Sequence, residues 1–343
     1  MKLGFSKTLA RVLKSQKKFS KLIAKALKSP QNKAKRATPI PRVAKPVLVE
    51  TDAFGSNPGR LIMKTFVPRA RLPKSPALVV VLHGCRQTPE SLDSAAGFSI
   101  LAKERGFVLV YPEQRSTNNS QRCFNWFRPS AVARDRGELL SIKQMIEHAC
   151  ERHRIDRSKI FVAGLSAGGA MTAALVANYP SLFAGVAIIA GMPVGSARDA
   201  MSALRAMKSG APTPSGGWGR PVTEISPEVK AWPAITIWQG MSDKTVNPVN
   251  ALGCVAQWLK VQGIDDSSGR AEEKPWGRLQ SWRAADGCQK VALYSVRNMG
   301  HGLPIKMRDA IKSRRSGDPF VIRADISAPG ELLRLWGLKR PVA

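Results

Sequence analysis

The chain has 343 residues, with 54 Lys and Arg against 24 Asp and Glu, a formal net charge of +30. That length holds one large domain or two small ones, at roughly 100–200 residues per domain, and a hydrophobic content of 43% excludes a mainly disordered chain. The charge is uneven: residues 1–45 carry 14 Lys or Arg and no acid, whereas the other 298 residues carry 40 basic and 24 acidic side chains, a net of +16.

In chain order, the first predicted element is a basic amphipathic helix over residues 2–28. At about 100° per residue, Phe5, Leu9, Val12, Leu13, Phe19, Leu22, Ile23 and Leu27 fall on one half, and of the nine Lys or Arg from Lys2 to Lys28 all but Lys2 fall on the other. Pro30 stops it, and residues 30–46 read as a Pro-rich extended linker. Such a helix suits an anionic membrane surface or a coated granule. A targeting segment and a passive solubilising tail are its alternatives. Lys or Arg every three or four residues leaves no apolar run of the ~7–15 residues that a Sec signal peptide needs, and no run of about 18 apolar residues suggests a membrane span.

From about residue 47 the pattern changes to short apolar runs alternating with helical stretches. Leu61–Val67 and Ala77–Leu82 read as strands, the second apolar throughout, as a strand covered on both faces should be. A helix over 91–104 follows, then a strand Phe107–Tyr111 ended by Pro112, and a helix Arg134–His153. Next come a strand Lys159–Ala163, an Ala-rich helix Ala167–Asn178, strands Phe183–Ile189 and Ala234–Trp238, a helix Val249–Val261, and a last strand Val291–Val296. Alternating strand and helix predicts an α/β fold, a mostly parallel sheet with helices on both faces. Residues 47–343 are read as its single domain. Residues 193–232, rich in Pro, Gly and Ser, read as a cap or lid insertion, and 262–290 as a second, loop-rich insertion.

The chemistry concentrates at strand ends. Gly164-Leu165-Ser166-Ala167-Gly168 fits G-x-S-x-G, with a buried strand before it and a small-residue helix after it, the context of a nucleophile elbow. A serine hydroxyl needs a base. Of the four histidines, His148 and His153 lie on a polar helix and read as surface residues. His301 follows the last predicted strand between two glycines, which suits a general base. Asp243 follows the strand ending at Trp238, so the order Ser166, Asp243, His301 is that of α/β-hydrolases. The two backbone donors of an oxyanion hole are then Ala167, after the nucleophile, and Cys85, in the His83-Gly84-Cys85-Arg86-Gln87 loop that follows ALVVVL. His83 reads as a structural member of this loop, because the oxyanion needs only backbone. Five cysteines without zinc-like spacing argue against a metal site. Cys150 and Cys254, on helices, read as buried thiols. No metal or organic cofactor is required by this chemistry.

Together, HGCRQ, RCFNWF (Arg122–Phe127), GLSAGGAM (Gly164–Met171), WQGMSD, MGHG and the closing GDPFVIRADISAPGELLRLWGL (Gly317–Leu338) resemble the esterases of the poly(3-hydroxybutyrate) depolymerase family, from about Ala53 onward. The resemblance implies an α/β-hydrolase fold and a serine esterase. Its expected substrate is a polyhydroxyalkanoate polymer or oligomer, with feruloyl or acetylxylan esterase on the same scaffold as the alternative. It implies Ser166 as nucleophile, Asp243 as acid, His301 as base, and Cys85 and Ala167 as oxyanion donors. His83, Arg86, Gln87, Trp126 and Phe127 are the candidate substrate contacts; for Trp126 and Phe127 core packing is the rival reading. Cys85 and Cys123 both recur with the site motifs, and are expected close together or bridged. The chain departs from the family at Arg86, at Phe124 in place of Trp, and in GLPI after His301 in place of AWP. Many members are exported, against which the missing h-region argues for a granule- or membrane-surface location. A non-enzymatic surface or nucleic-acid binder is the remote alternative. No specific nucleic acid is expected, because no nucleic-acid fold signature accompanies the basic charge. Oligomeric state is not legible in the sequence.

Overall fold

In the computed structural model, the described residues are 47–69, 72–306 and 317–339. The basic helix and linker predicted over 1–46 lie outside them.

A ten-stranded sheet organises the described residues, in the order β1-β2-β4-β3-β5-β6-β7-β10-β9-β8. The strands are β1 (Val49–Thr51), β2 (Ile62–Phe66), β3 (Ala77–Leu82), β4 (Phe107–Glu113), β5 (Ile160–Leu165), β6 (Gly185–Ile189), β7 (Ala234–Gly240), β8 (Arg270–Lys274), β9 (Gly277–Arg283) and β10 (Gln289–Val296). From β4 through β10 the central neighbours pair in parallel, and the two outer pairs at each edge are antiparallel. The described helices are α1 (Pro89–Ala96), α2 (Phe98–Arg105), α3 (Pro129–Val132), α4 (Gly137–His153), α5 (Ala167–Asn178), α6 (Ala200–Ser209), α7 (Arg220–Thr223), α8 (Val249–Gln262) and α9 (Ala328–Leu335).

The continuous apolar runs follow from burial on both faces. In β3, Val79 and Val81 pack into one layer with Leu92 of α1, Phe98 of α2 and Leu332 of α9. Leu78, Val80 and Leu82 pack into the other with Ile142 of α4, Leu175 of α5 and Trp258 of α8. Each such side chain contributes about 1.5–3 kcal/mol when fully removed from water. With this geometry every parallel strand delivers its C-terminal end to one rim, where open α/β sheets bind ligands.

Four sequence expectations need correction. The helix over 91–104 is two helices, because Gly97 takes a left-handed φ of 79° that closes α1 and opens α2. Strand β4 does not end at Pro112 but runs to Glu113. Pairing with β3 stops at Val110, and Pro112 lies opposite Met63 of β2 alone, so its missing N–H removes no ladder bond to β3. Residues 262–290 are not a loop-rich insertion: they contain the hairpin β8–β9, which extends the sheet from β10. Its charged sequence (RAEEK, GRLQSWR) hides the strand pattern because an edge hairpin is exposed. Nor is β10 the last strand: β11 (Leu303–Ile305) and β12 (Val321–Arg323) form a separate parallel pair. Residues 193–232 fold between β6 and β7 as α6, α7 and connecting loops, with Ala203, Met207, Val222 and Trp232 buried.

Candidate active site

Ser166 sits between β5 and α5 with φ 57° and ψ −116°. A non-glycine residue there costs about 1–3 kcal/mol and persists only when its surroundings over-determine it. Here they do. A side chain at Gly164 would stand 2.2 Å from the Gly168 carbonyl oxygen, and one at Gly168 would stand 2.4 Å from the Leu82 carbonyl oxygen. The two glycines therefore let β5, α5 and the end of β3 close on one another. The Ser166 N–H donates to the Ile189 carbonyl of β6 at 2.8 Å.

His301 reaches Ser166 from the loop after β10. Its Nε2 lies 2.9 Å from Ser166 Oγ, and its Nδ1 lies 2.7 Å from Asp243 Oδ2. Ser166, Asp243 and His301 are each under one-tenth exposed. The acid's other contacts fix its orientation. Oδ1 accepts from the Thr245 and Val246 N–H groups at 2.8 and 2.9 Å, and Oδ2 also accepts from Gln239 Nε2 at 3.1 Å. The acid and base loops are sewn together by Met241 N–H to the Val296 carbonyl and Ser242 N–H to the Met299 carbonyl. This chain of hydrogen bonds has the geometry by which an imidazole deprotonates a serine while a carboxylate fixes its tautomer. The order read from the sequence thus brings the three residues together. Gln239, inside WQGMSD, is the donor sequence reasoning missed, since a glutamine beside a strand end carries no signal of its own.

The loop after β3 is arranged by elimination. Gly84 N–H donates to Gln87 Oε1 at 2.7 Å, Arg86 N–H to the Gln121 carbonyl at 2.7 Å, and Gln87 N–H to the Gly84 carbonyl at 3.3 Å. Among the described residues the Cys85 N–H has no acceptor, nor has the Ala167 N–H at the start of α5. A side chain built on Gly84 would stand 3.5 Å from Ser166 Cβ, so this loop lies against the elbow. Cys85 is disulfide-bonded to Cys123, as the sequence suggested, while Cys150 and Cys254 are buried free thiols.

The substrate contacts read from the sequence divide. Trp126 is half-buried and lines a small apolar pocket with Cys85, Cys123, Ser166, Ala167, Met192, Met207 and Val246. That pocket leaves about 10 Å³, about the space of one water. Arg86 is exposed. His83, Gln87 and Phe127 are buried and are not among the residues that line this pocket, so His83 takes the structural role and Phe127 the core-packing role that the sequence also offered, and Gln87 is corrected as a substrate contact. His83 is bonded at both nitrogens: Nδ1–H donates to the Gly84 carbonyl at 2.7 Å and Nε2 accepts the Gln114 N–H at 3.1 Å. Burial pushes its pKa down to about 4, which keeps the ring neutral. Phe127 belongs to the core layer. Below the loop, Glu138 accepts from the Asn125 N–H at 2.9 Å and from Gln114 Nε2 at 2.7 Å, fixing the segment that carries Cys123. Burial raises its pKa against those hydrogen bonds. Met192, Met207 and Val246 carried no sequence signal, because they reach the pocket from the loop after β6, from α6 and from the loop after β7. Among the described residues no three His, Cys, Asp or Glu side chains group as a metal site would.

With this geometry established, comparison with known proteins is decisive. Residues 63–275 match the family model described as esterase PHB depolymerase. The chain belongs to that family. It is 38% identical over 292 residues to the poly(3-hydroxyalkanoate) depolymerase C of Paucimonas lemoignei, covering 85% of this chain and 70% of that one. It is 30% identical over 274 residues to the acetylxylan esterase of Coprinopsis cinerea, covering 78% and 72%. Among solved structures, the acetyl xylan esterase from Aspergillus awamori superposes with a TM-score of 0.70 at 23% identity, over 85% of this chain and all of that one. The fold is that of the α/β-hydrolase esterases, and the family member is a carboxylic ester hydrolase. The remote alternative of a non-enzymatic binder falls with that membership.

Proposed function

We propose that Ser166 is the nucleophile, His301 the general base and acid, and Asp243 the residue that orients His301, with the Cys85 and Ala167 N–H groups holding the oxyanion. The observation that carries this reading is the unbroken chain Ser166 Oγ–His301–Asp243, at 2.9 and 2.7 Å. Ser166 Oγ attacks the ester carbonyl as His301 Nε2 takes its proton. The tetrahedral oxyanion forms against the two N–H groups. The alcohol leaves with the proton from His301, and water repeats the steps to release the acid.

The substrate is a short-chain 3-hydroxyacyl ester in a polymer or oligomer. The relative in Paucimonas lemoignei supports it, as does the apolar lining beside Ser166. An acetyl ester is the second reading, favoured by the acetylxylan esterase relative. Residues 193–232 act as a cap over the acyl side through Met207. The basic segment 1–28 docks the enzyme on an anionic membrane or polyester granule; it is supported by the clean separation of its apolar and cationic residues.

The catalytic assignment is tested by Ser166→Ala, which should abolish turnover of p-nitrophenyl butyrate, by ~10⁴-fold or more, while thermal unfolding is unchanged. Retained turnover would refute it. Rates on 3-hydroxybutyrate oligomers, acetylated xylan and feruloyl esters then rank the substrates. Granule co-sedimentation that is unaffected by deleting residues 1–45 would remove the docking role.

A further inference from the structure

Gln87 is 2% exposed, so its amide serves the protein rather than the substrate. Both ends are occupied. Oε1 accepts the Gly84 N–H at 2.7 Å, and Nε2 donates to Asp318 Oδ1 at 2.9 Å. The same Asp318 oxygen accepts the Phe320 N–H at 3.0 Å. Phe320 in turn accepts, through its carbonyl, the N–H of Leu303 at 2.8 Å, two residues beyond His301. Its ring stands edge-on to the His301 imidazole, with centroids 6.2 Å apart. A continuous path of packed and hydrogen-bonded groups therefore runs from the base loop to the oxyanion loop.

The peptide that matters lies between Gly84 and Cys85, because its N–H has no acceptor among the described residues. Glycine at 84 gives that peptide wide rotational freedom. Gln87 holds the N–H on one side of it, and the Gln121 carbonyl holds the Arg86 N–H on the other. An oxyanion donor is worth its full effect only when aimed before the charge forms.

We propose that Gln87 and Asp318 are positioning residues for the oxyanion hole, with Asp318 conveying to the Cys85 N–H a constraint that originates in the His301 loop. The inference rests on the acyl-transfer reading above. Failure of that reading would appear separately, as ester turnover surviving in Ser166→Ala.

The test uses the full chain with Gln87→Leu, Asp318→Ala and Asp318→Asn. Kinetics on p-nitrophenyl butyrate are paired with inhibition by a trifluoromethyl ketone, which a reactive serine converts into a tetrahedral oxyanion adduct. Removing an oxyanion donor outright costs about 10²–10³ in kcat, so mis-aiming one through Gln87→Leu should cost about 10- to 100-fold. KM should stay within about twofold, and the acid limb of the pH profile should not move, because the Asp243–His301 contacts are untouched. Ketone affinity should fall by the same factor as kcat/KM, since both report binding of the tetrahedral state. Asp318→Ala should cost about three- to tenfold, and Asp318→Asn, which keeps an oxygen for both donors, should recover to within about twofold of the parent. The proposal is overturned if Gln87→Leu leaves kcat unchanged, if ketone affinity does not follow kcat/KM, or if Asn at 318 is no better than Ala. Should Gln87→Leu fail to fold, the two Asp318 variants decide by the same criteria.

Discussion

The elbow at Ser166 and the loop that carries Cys85 lie against each other, yet they are held in place by different means. The elbow is fixed mainly by backbone sterics within its own motif, where Gly164 and Gly168 remove the atoms that would collide. The oxyanion loop is fixed by groups remote in sequence: Cys123, 38 residues away through a disulfide, and Asp318, 231 residues from Gln87. A motif confined to a few residues can be correct wherever it is folded. A donor aimed by long-range contacts is correct only when the whole domain is.

The contrast can be broken first at the disulfide. Closing a loop of this length stabilises by ~4 kcal/mol in the chain-entropy account. Cys123→Ser should therefore lower the urea midpoint, and should lower kcat more than it raises KM. An unchanged kcat at full folding would show that the bridge has no part in aiming the donor.

Acid should also attack the oxyanion loop before the elbow. His83 has a folded pKa of about 4, below its ordinary value near 6.5. Between those values the unfolded chain binds the extra proton, so stability rises with pH there. This contribution is whole above about 6.5 and is lost as pH falls towards 4, at ~3 kcal/mol by linkage. The difference in unfolding free energy between the parent and His83→Gln should narrow by about that amount from pH 7 to pH 4. Parallel curves would refute it.

The elbow itself is probed by Gly164→Ala. The added carbon meets the Gly168 carbonyl oxygen at 2.2 Å, a backbone atom that can yield only by opening the turn. A destabilisation of ~2 kcal/mol, within the overpacking range, should accompany a loss of esterase activity. Normal activity would show that the turn tolerates a wider separation.

The same contrast explains what could be read from the sequence. Ser166, Asp243 and His301 are legible because each follows a buried strand and the order is diagnostic. The parallel sheet is legible because ALVVVL and FVLVY are apolar throughout. What escaped is what depends on a distant partner. Gln87 is a polar residue in a loop, which the sequence offered as a substrate contact; its burial depends on Gly84 and Asp318. The hairpin β8–β9 escaped because an edge pair need not be apolar, and the pocket side chains Met192, Met207 and Val246 because no spacing relates them.

The Asp318–Gln87 bond also orders events in time. Chains emerge from the ribosome amino end first and fold as they appear. A nascent chain that has already delivered Ser166, Asp243 and His301 still lacks the Asp318 carboxylate that holds Gln87 on the Gly84 N–H, which follows His301 by 17 residues. On the proposed roles, full hydrolytic competence arrives only after residue 318 has emerged, so a chain stopped between His301 and Asp318 should carry the proposed triad and still be a poor esterase.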